Sequence, residues 1–318
     1  MIWLLGTGAM SVEYSKVLKH QRLNFHAIGR SKASTEAFRV ATGADATPGG
    51  LAAFLEQQPQ VAQAAIVAVN VEQLFPTTLQ LIQAGVPSIL VEKPAALALA
   101  ELEQLQAAAK NAGCNVYIAY NRRFFASVLK AQDIIQADGG VTSFQFEVTE
   151  WSHIIQNLDN PDEVMQAWFI ANTSHVVDLA WHLGGAPEEL ACFTHGTLDW
   201  HRAAAQFSGA GKSQSGATFA YQGNWCAPGR WALEFCTAAH RLIFKPMEQL
   251  QIQEIGSVAV NPLSIDDALD QEFKPGLHAQ VASFLGADKS RLCSLEEQVQ
   301  HFHLYQRMAG YSPSPAKR

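Results

Sequence analysis

Residues 1–11 read Met1-Ile2-Trp3-Leu4-Leu5-Gly6-Thr7-Gly8-Ala9-Met10-Ser11, an apolar run that breaks into a turn with two glycines. This order predicts a buried strand, a tight turn and the start of a helix. In a dinucleotide-binding fold the first glycine permits the turn, the second lets the backbone approach a pyrophosphate, and the helix N-terminus offers N–H groups to it. Ser11 stands at the position of a third glycine and is small enough for close packing. We therefore predict that a dinucleotide binds at this turn through Gly6, Thr7, Gly8, Ala9 and Met10.

A second strand is predicted over 24–28, and the residues after it indicate which dinucleotide binds. An NAD-binding chain usually has a carboxylate about twenty residues beyond the glycines, where it accepts hydrogen bonds from the ribose hydroxyls. Here Gly29 occupies that position, and Arg30, Ser31 and Lys32 follow it. A guanidinium, a hydroxyl and an ammonium suit a 2′-phosphate. The strand end favours NADP, with NAD possible, and a basic loop without a ligand is the alternative interpretation.

Ser88-Ile89-Leu90-Val91-Glu92-Lys93-Pro94 is another apolar strand, and it ends in a carboxylate, an amine and a proline. Proline disfavours helical geometry for the residue before it, so Lys93 is expected in extended backbone. Open α/β folds bind their ligands at the carboxyl ends of such strands. Lys93 is therefore a candidate catalytic residue. The alternative is an ordinary corner between strand and helix, with Glu92 and Lys93 solvated.

Strands and helices alternate in the first part of the chain, and the pattern changes near residue 120. Separate helical segments connect the strands predicted over 2–5, 24–28, 64–69, 88–92 and 115–119, which indicates a doubly wound parallel sheet. Beyond this point strands follow one another, beginning with a long alternating run over 141–151, as in an antiparallel sheet. The predicted fold class is α/β, with an N-terminal Rossmann domain over 1–120 and a C-terminal α+β domain over 121–318 on an open, mostly antiparallel sheet. Residues 311–318 are predicted to form a frayed tail.

Composition limits the classes of partner. The chain has a net charge of −7 and no basic cluster, which argues against nucleic acid and anionic membranes and leaves a small molecule as the expected partner. It shows no apolar span of membrane length and no signal peptide, so a cytoplasmic location is expected. The five cysteines are widely spaced and form no C-x-x-C pair, so neither a disulfide framework nor a metal site is expected.

A helix closed by glycines is predicted over 174–185. His175, Asp178 and His182 share one face of it. This spacing admits a metal site, a catalytic imidazole supported by a carboxylate, or a buried polar stripe. A metal is the weakest of the three, because the two histidines lie about two turns apart.

Four motifs stand in order along the chain: Gly6-Thr7-Gly8-Ala9-Met10, Glu92-Lys93-Pro94, Tyr120-Asn121-Arg122-Arg123-Phe124 and Ser174-His175-Val176-Val177-Asp178-Leu179. Together they resemble the Gfo/Idh/MocA family, named after glucose-fructose oxidoreductase and inositol dehydrogenase, over nearly the whole chain. The resemblance implies hydride transfer between a nicotinamide and a sugar-like or polyol carbon. It also implies that Lys93 is the active-site lysine, that His175 is the acid/base histidine, and that the protein is a homodimer or homotetramer formed through the C-terminal sheet.

The resemblance extends to neighbouring residues, and the chain departs from the family pattern at two places. Cofactor contacts are implied for Glu92, Lys93 and Asn121, and also for Val69 and Asn70, which replace the family's usual Thr-Pro. Many members carry an Asp four residues before the histidine, where this chain has Ala171. A relay that includes this Asp is therefore not expected.

Indole and guanidinium groups near the motifs are candidates for substrate binding, because an indole can cover a sugar face and Arg230 can bind a carboxylate or phosphate. The predicted substrate-binding set is Lys93, Arg122, Trp151, Asn172, His175 and Arg230; packing of the aromatic residues in the core is the alternative. The leading function is an NAD(P)-dependent oxidoreductase that acts on a sugar, polyol or nucleotide-linked sugar. A cofactor-binding regulator without turnover stays open, as does sugar elimination or hydrolysis assisted by redox chemistry.

Overall fold

The structure is a computed structural model that describes residues 1–311. The first elements alternate: β1 (Ile2–Leu5), α1 (Ala9–His20), β2 (Phe25–Ile28), α2 (Lys32–Thr42), β3 (Ala46–Thr47), α3 (Gly50–Leu55), β4 (Ala64–Val67), α4 (Leu74–Gln83), β5 (Ser88–Val91), α5 (Leu99–Ala112) and β6 (Asn115–Ile118). The middle of the chain contains α6 (Ala126–Ala137), β7 (Ser143–Glu147), α7 (Ser152–Ile155), α8 (Asp162–Gln166), α9 (Ser174–Gly184), β8 (Pro187–His195), β9 (Gln206–Ser213), β10 (Thr218–Asn224), β11 (Ala232–Cys236), β12 (His240–Phe244), β13 (Gln251–Glu254), β14 (Asn261–Pro262) and α10 (Ala268–Glu272). The last elements are α11 (Leu277–Leu285), β15 (Cys293–Ser294) and α12 (Leu295–Ala309).

Two compact units make up the described chain. The first consists of Met1–Asn121 and Leu269–His301, and the second of Arg122–Ala268 and the residues from Phe302 onward. The sequence prediction kept 121–318 together, whereas the structure groups 269–301 with the first unit. The physical reason is that α11 packs against α1 and that β15 pairs with β6.

The first unit is built on a mixed sheet whose order, within residues 1–311, is β15-β6-β5-β4-β1-β2-β3. All neighbours are parallel except β15 and β6. The chain moves outward from β1 through β2 and β3 on one side, and from β4 through β5 and β6 on the other. The β1/β4 pair is therefore the point where the strand order reverses, and this is where open α/β sheets bind ligands. The four residues of β1 are all buried, as the apolar run predicted.

The second unit is built on a mostly antiparallel sheet with the order β14-β13-β12-β11-β7-β10-β9-β8 within the described residues. Only the β7/β10 pair is parallel. One face carries stacked rings, with 4.9 Å between the ring centroids of Phe144 and Phe219 and 5.4 Å between those of Phe146 and Tyr221. The two sheets confirm the predicted fold class.

Two local predictions need correction. The long strand predicted over 141–151 is shorter, because β7 ends at Glu147 and the residues beyond it turn into the interior. The tail predicted over 311–318 begins with an anchored residue: the Tyr311 hydroxyl donates to Nε2 of His201 and accepts from the N–H of Phe169. The donor assignment follows because Nδ1 of His201 lies 2.7 Å from the carbonyl of Ala204 and must carry the proton. The rest of the predicted tail, 312–318, lies outside the described residues.

No helix within residues 1–311 is long and apolar enough to cross a membrane.

Candidate functional site

A cleft of about 390 Å³ opens at the carboxyl ends of β1, β2 and β4 in the first unit. Six of the predicted cofactor-binding residues line it: Gly6, Thr7, Gly8, Arg30, Val69 and Asn70. The remaining lining residues, which the sequence did not single out, include Ser34, Gly49, Gly50, Gln73, Thr77 and Gln80. The adjacent glycines at 49 and 50 were a detectable signal in the sequence, because such a pair favours positive φ; Gly49 caps α3, Gly50 begins it, and both have positive φ.

Gly6 and Gly8 have different roles in this cleft. Gly6 has φ +109°, and a Cβ added to it would lie 2.3 Å from the carbonyl oxygen of Ala68. Gly8 caps α1 with φ −89°, and a Cβ there would meet no atom within 4 Å. The space beside Gly8 is thus open to a ligand, next to the first turn of α1, whose N–H groups lack partners within the helix. The residues present therefore fit a dinucleotide pyrophosphate.

Alanine substitutions should separate these two roles. We expect Gly6→Ala to lower the free energy of unfolding by about 2 kcal/mol or more, because Ala is strained at positive φ and its Cβ meets the backbone carbonyl of Ala68, just after β4. Gly8→Ala should leave stability unchanged or slightly higher, yet weaken dinucleotide binding at least about fivefold, because the methyl group enters the cleft. Urea unfolding and calorimetric titration with NADPH would measure the two effects. Equal losses of stability in both variants would contradict this division.

The end of β2 brings one cation into the cleft. A Cβ at Gly29 would lie 2.3 Å from Oγ1 of Thr35, so the position expected for a ribose-binding carboxylate has no room for a side chain. Arg30 is exposed and lines the cleft, and no acidic residue of the described chain does so. Ser31 instead caps α2, where its hydroxyl accepts from the N–H of Ser34 at 3.1 Å. Among the described lining residues, the cleft therefore carries one positive charge and no negative charge.

Lys93 lies in a turn that other parts of the first unit hold in place. The N–H of Ala95 donates to the carbonyl of Glu92 at 3.0 Å, and Ala95 has φ +71°. The amide of Gln298 donates to the carbonyl of Pro94 at 3.1 Å and accepts from the hydroxyl of Tyr120 at 3.1 Å. Gln298 is fully buried, so both hydrogen bonds are shielded from water. No motif in the sequence singles out Gln298.

Glu92 is joined to the helix that follows the glycine turn. The hydroxyl of Tyr14, on α1, donates to Oε1 of Glu92 at 2.8 Å. Burial raises the pKa of Glu92, whereas the hydrogen bond from Tyr14 and the charge of Lys93 lower it. Burial also raises the pKa of Tyr14, and the neighbouring carboxylate raises it further. This pair links the turn of Lys93 to the helix of the dinucleotide turn.

The other predicted cofactor-binding residues do not line the cleft. They are Ala9, Met10, Ser31, Lys32, Glu92, Lys93 and Asn121. The side chain of Asn121 is buried and donates to the carbonyl of Pro275 at 2.9 Å, within the first unit.

In the second unit, α9 presents the predicted polar face, and Asp178 and His182 on this face have polar partners on other elements. Nε and Nη2 of Arg123 lie 2.8 and 2.6 Å from the two carboxylate oxygens of Asp178. Nε2 of His182 lies 2.8 Å from the amide nitrogen of Gln132. Asp178 is therefore held in a buried ion pair, which favours the interpretation of the stripe as structural at this position. His175, on the first turn of the helix, is 7% exposed.

Arg230 lies between two indole rings. Its Cζ atom is 4.7 Å from the ring centroid of Trp151 and also 4.7 Å from that of Trp231. Trp151 is 45% exposed, and its indole N–H donates to the carbonyl of Gly229 at 2.9 Å. Since the side chain of Arg230 is also 45% exposed, a cation held between aromatic faces is open to solvent here.

Trp231 connects this cation to two further predicted residues. Cζ of Arg122 lies 4.9 Å from the Trp231 ring centroid, and the ring centroid of His175 lies 6.3 Å from it. The structure therefore brings Arg122, Trp151, His175 and Arg230 into one neighbourhood of the second unit. Such a surface can cover a sugar with its rings and attract an anionic group with its two guanidinium groups.

Glu150 is a buried carboxylate of this neighbourhood that the sequence analysis missed. It is 1% exposed; its Oε1 accepts from Asn172 at 2.9 Å and from Thr173 at 2.7 Å, and its Oε2 lies 3.2 Å from Nη1 of Arg230. Burial raises its pKa, whereas the hydrogen bond from Thr173 and the charge of Arg230 lower it. A signal was present, because Glu150 falls in phase with the inward-facing residues of the alternating run that contains β7.

Residues 2–120 match a family model described as an oxidoreductase family with an NAD-binding Rossmann fold, Gfo/Idh/MocA. This Rossmann domain belongs to the Gfo/Idh/MocA family. The match confirms the resemblance seen in the sequence and the oxidoreductase class that it implies, with NAD(P) as the cofactor. The comparison of the whole chain with curated proteins found no match.

Solved structures share the fold over both units. The oxidoreductase from Agrobacterium radiobacter in complex with NAD⁺, L-tartaric acid and magnesium is 13% identical, with a TM-score of 0.75 over 98% of this chain and 95% of that one. The WlbA dehydrogenase from Chromobacterium violaceum in complex with NADH and UDP-GlcNAcA is 15% identical, with a TM-score of 0.73 over 98% and 92%. UDP-N-acetylglucosamine 3-dehydrogenase GnnA from Acidithiobacillus ferrooxidans is 15% identical, with a TM-score of 0.74 over 97% and 96%.

Proposed function

We propose that this protein is an NADP(H)-dependent oxidoreductase that interconverts a CH–OH group and a carbonyl group on a sugar-like substrate. The observation that carries the proposal is the cleft of the first unit, which combines the Gly6 and Gly8 turn with Arg30 and with no acidic lining residue among those described. The family's NAD-binding Rossmann fold supports the dinucleotide, and the single cation supports the 2′-phosphate. Two of the structurally similar proteins are the WlbA dehydrogenase in complex with UDP-GlcNAcA and UDP-N-acetylglucosamine 3-dehydrogenase GnnA, which supports a sugar-like substrate.

The chemistry requires a proton carrier and a positive charge at the reacting oxygen. The bound nicotinamide supplies or receives the hydride. In the oxidation, neutral His175 takes the proton of the alcohol; in the reduction, its imidazolium returns that proton to the oxygen. The Lys93 ammonium donates a hydrogen bond to the same oxygen and stabilises the negative charge that develops there. Because Ala171 replaces the family's Asp, these two groups carry the reaction without a carboxylate at that position.

The choice between NADPH and NADH is the direct test of the cofactor assignment. We expect Arg30→Ala to weaken NADPH binding about tenfold to a hundredfold, because a hydrogen-bonded charge opposite the 2′-phosphate is lost. NADH affinity should not change, since that phosphate is absent. Parallel calorimetric titrations at one fixed salt concentration would measure both affinities. Arg202→Ala is a matched control, since this guanidinium is exposed and pairs with Asp162 in the second unit.

The titrations, together with assays of sugar turnover, distinguish the alternatives. A preference for NADH in the unsubstituted protein would overturn NADP and leave the oxidoreductase assignment in place. NADPH binding without turnover of any sugar would favour the alternative of a cofactor-binding regulator. Conversion of a sugar without net consumption of NADPH would instead favour redox-assisted elimination or hydrolysis. Assembly through the C-terminal sheet and a cytoplasmic location stay predictions.

A further inference from the structure

Three parts of the second unit meet at the carboxylate of Glu150. It follows β7 in the chain and reaches Arg230, which precedes β11, and the π-helical turn Phe169–Thr173, which precedes α9. The two carboxylate oxygens have different partners. Oε1 accepts hydrogen bonds from Asn172 and Thr173 in the π-helical turn, and Oε2 faces the guanidinium of Arg230. A buried carboxylate is costly unless it is paired and hydrogen-bonded, and here both conditions are met.

We propose that Glu150 is a positioning residue that holds Arg230 as the group recognising a carboxylate or phosphate on the substrate. The proposal rests on the proposed function and adds that the sugar-like substrate is anionic. Arg230 touches the ligand, and Glu150 acts through Arg230.

The carboxylate of Glu150 and two indole rings together fix the orientation of the Arg230 side chain. Nη1 of Arg230 is occupied by Glu150, and the two indole rings of Trp151 and Trp231 lie against the guanidinium. The arginine therefore loses little further side-chain entropy when it binds a ligand, and a guanidinium carries five N–H donors in all. Arg122 also lies against the indole ring of Trp231, so a second guanidinium borders the same surface. A carboxylate or phosphate is the ligand whose geometry matches guanidinium donors.

Glu150 also holds the backbone that leads into His175. Asn172 and Thr173 belong to the π-helical turn, and the N–H at the start of this turn donates to Tyr311. Turns of this kind are frequent at functional sites. Thr173→Val removes a hydrogen bond from Oε1 of Glu150 while leaving Oε2 and Arg230 in place, and this separates the two tasks of the carboxylate.

Three probes distinguish the possible anions: UDP-glucuronate, UDP-glucose and D-glucuronate. We expect Glu150→Gln and Arg230→Gln each to weaken binding of the recognised probes about tenfold or more, as measured by calorimetry. If the variants lose affinity only for UDP-glucuronate and D-glucuronate, the carboxylate is the recognised group. If they lose affinity only for the two UDP-sugars, the phosphate is the recognised group. The double variant should bind no more weakly than Arg230→Gln, since Glu150 acts through that arginine.

Controls make the test independent of folding. Glu234→Gln breaks an exposed pair with Arg241 on the same sheet and should change no probe affinity. Arg230→Gln is the second variant should Glu150→Gln fail to fold, because Arg230 is half exposed. Equal losses for all three probes, no loss for any, additive losses in the double variant, or no binding of any probe to the unsubstituted protein would each overturn the proposal. The NADPH titration with Arg30→Ala remains separate, so failure here does not decide the cofactor assignment.

Discussion

Replacing Lys93 with Met is expected to lower kcat about a hundredfold to ten-thousandfold. Met has similar length and no charge, so the change removes the hydrogen bond and the positive charge at the reacting oxygen while keeping the volume. Lys93 does not line the cleft around Gly8 and Arg30, so NADPH affinity should change little. The first measurement is the rate at which NADPH forms from NADP⁺ and a UDP-sugar, which is UDP-glucuronate or UDP-glucose according to which of them binds. The second measurement is a calorimetric titration with NADPH.

Two comparisons make the Lys93 result specific. Lys110→Met removes an exposed ammonium in the last turn of α5 and should leave kcat unchanged. Gln298→Leu removes the hydrogen bonds to Pro94 and Tyr120, so it should lower kcat less than Lys93→Met does, through disorder of the turn. Normal turnover in Lys93→Met would rule out the mechanism proposed above.

Replacing Arg123 with Met should produce the largest loss of stability, about 3–5 kcal/mol, because Asp178 would then be a buried charge without its ion-pair partner. The side chains of Arg123 and Asp178 are 2% and 0% exposed, and two hydrogen bonds join them. Replacing both, with Met at 123 and Leu at 178, should recover much of the loss, since a well-packed apolar pair often serves as well as a buried ion pair.

Urea unfolding, followed by circular dichroism, measures this effect. Arg241→Met is the control, because its pair with Glu234 lies at the surface and is partly exposed, and surface pairs contribute about 0–1 kcal/mol. A loss in Arg123→Met no larger than in this control would show that the buried pair contributes little to stability. A double variant as unstable as Arg123→Met would show that the loss comes from packing rather than from the unpaired charge.

Local patterns predicted the elements of the first unit well. β1, β2 and β5 begin and end within one residue of the predicted ranges, because a buried strand in a parallel sheet is an uninterrupted apolar run. The glycine turn and the strand end at Gly29 were also predicted, and Gly6, Thr7 and Gly8 line one cleft together with Arg30. Parallel strands bring these positions to one edge whatever the loops between them contain.

The contacts of the second unit were less accessible to sequence analysis. Trp151 and Arg230 were each singled out, but their stacking joins residues 79 positions apart in the chain. Glu150 was missed because a period of two indicates which face a residue takes but not which residue it pairs with. The same limit applies to Asp178, whose helical face was predicted and whose partner Arg123 was not.

The amino-acid sequence alone determined the fold class, the dinucleotide turn, the strand end that carries Lys93 and the family of the Rossmann domain. These depend on apolar periodicity and on glycines and prolines, whose effects act over a few neighbouring residues. Only the tertiary structure decided that 269–301 belong to the first unit, that Gln298 holds the Lys93 turn and that Glu150 holds Arg230. Those contacts join residues far apart in the chain, and their geometry depends on strand register and helix packing.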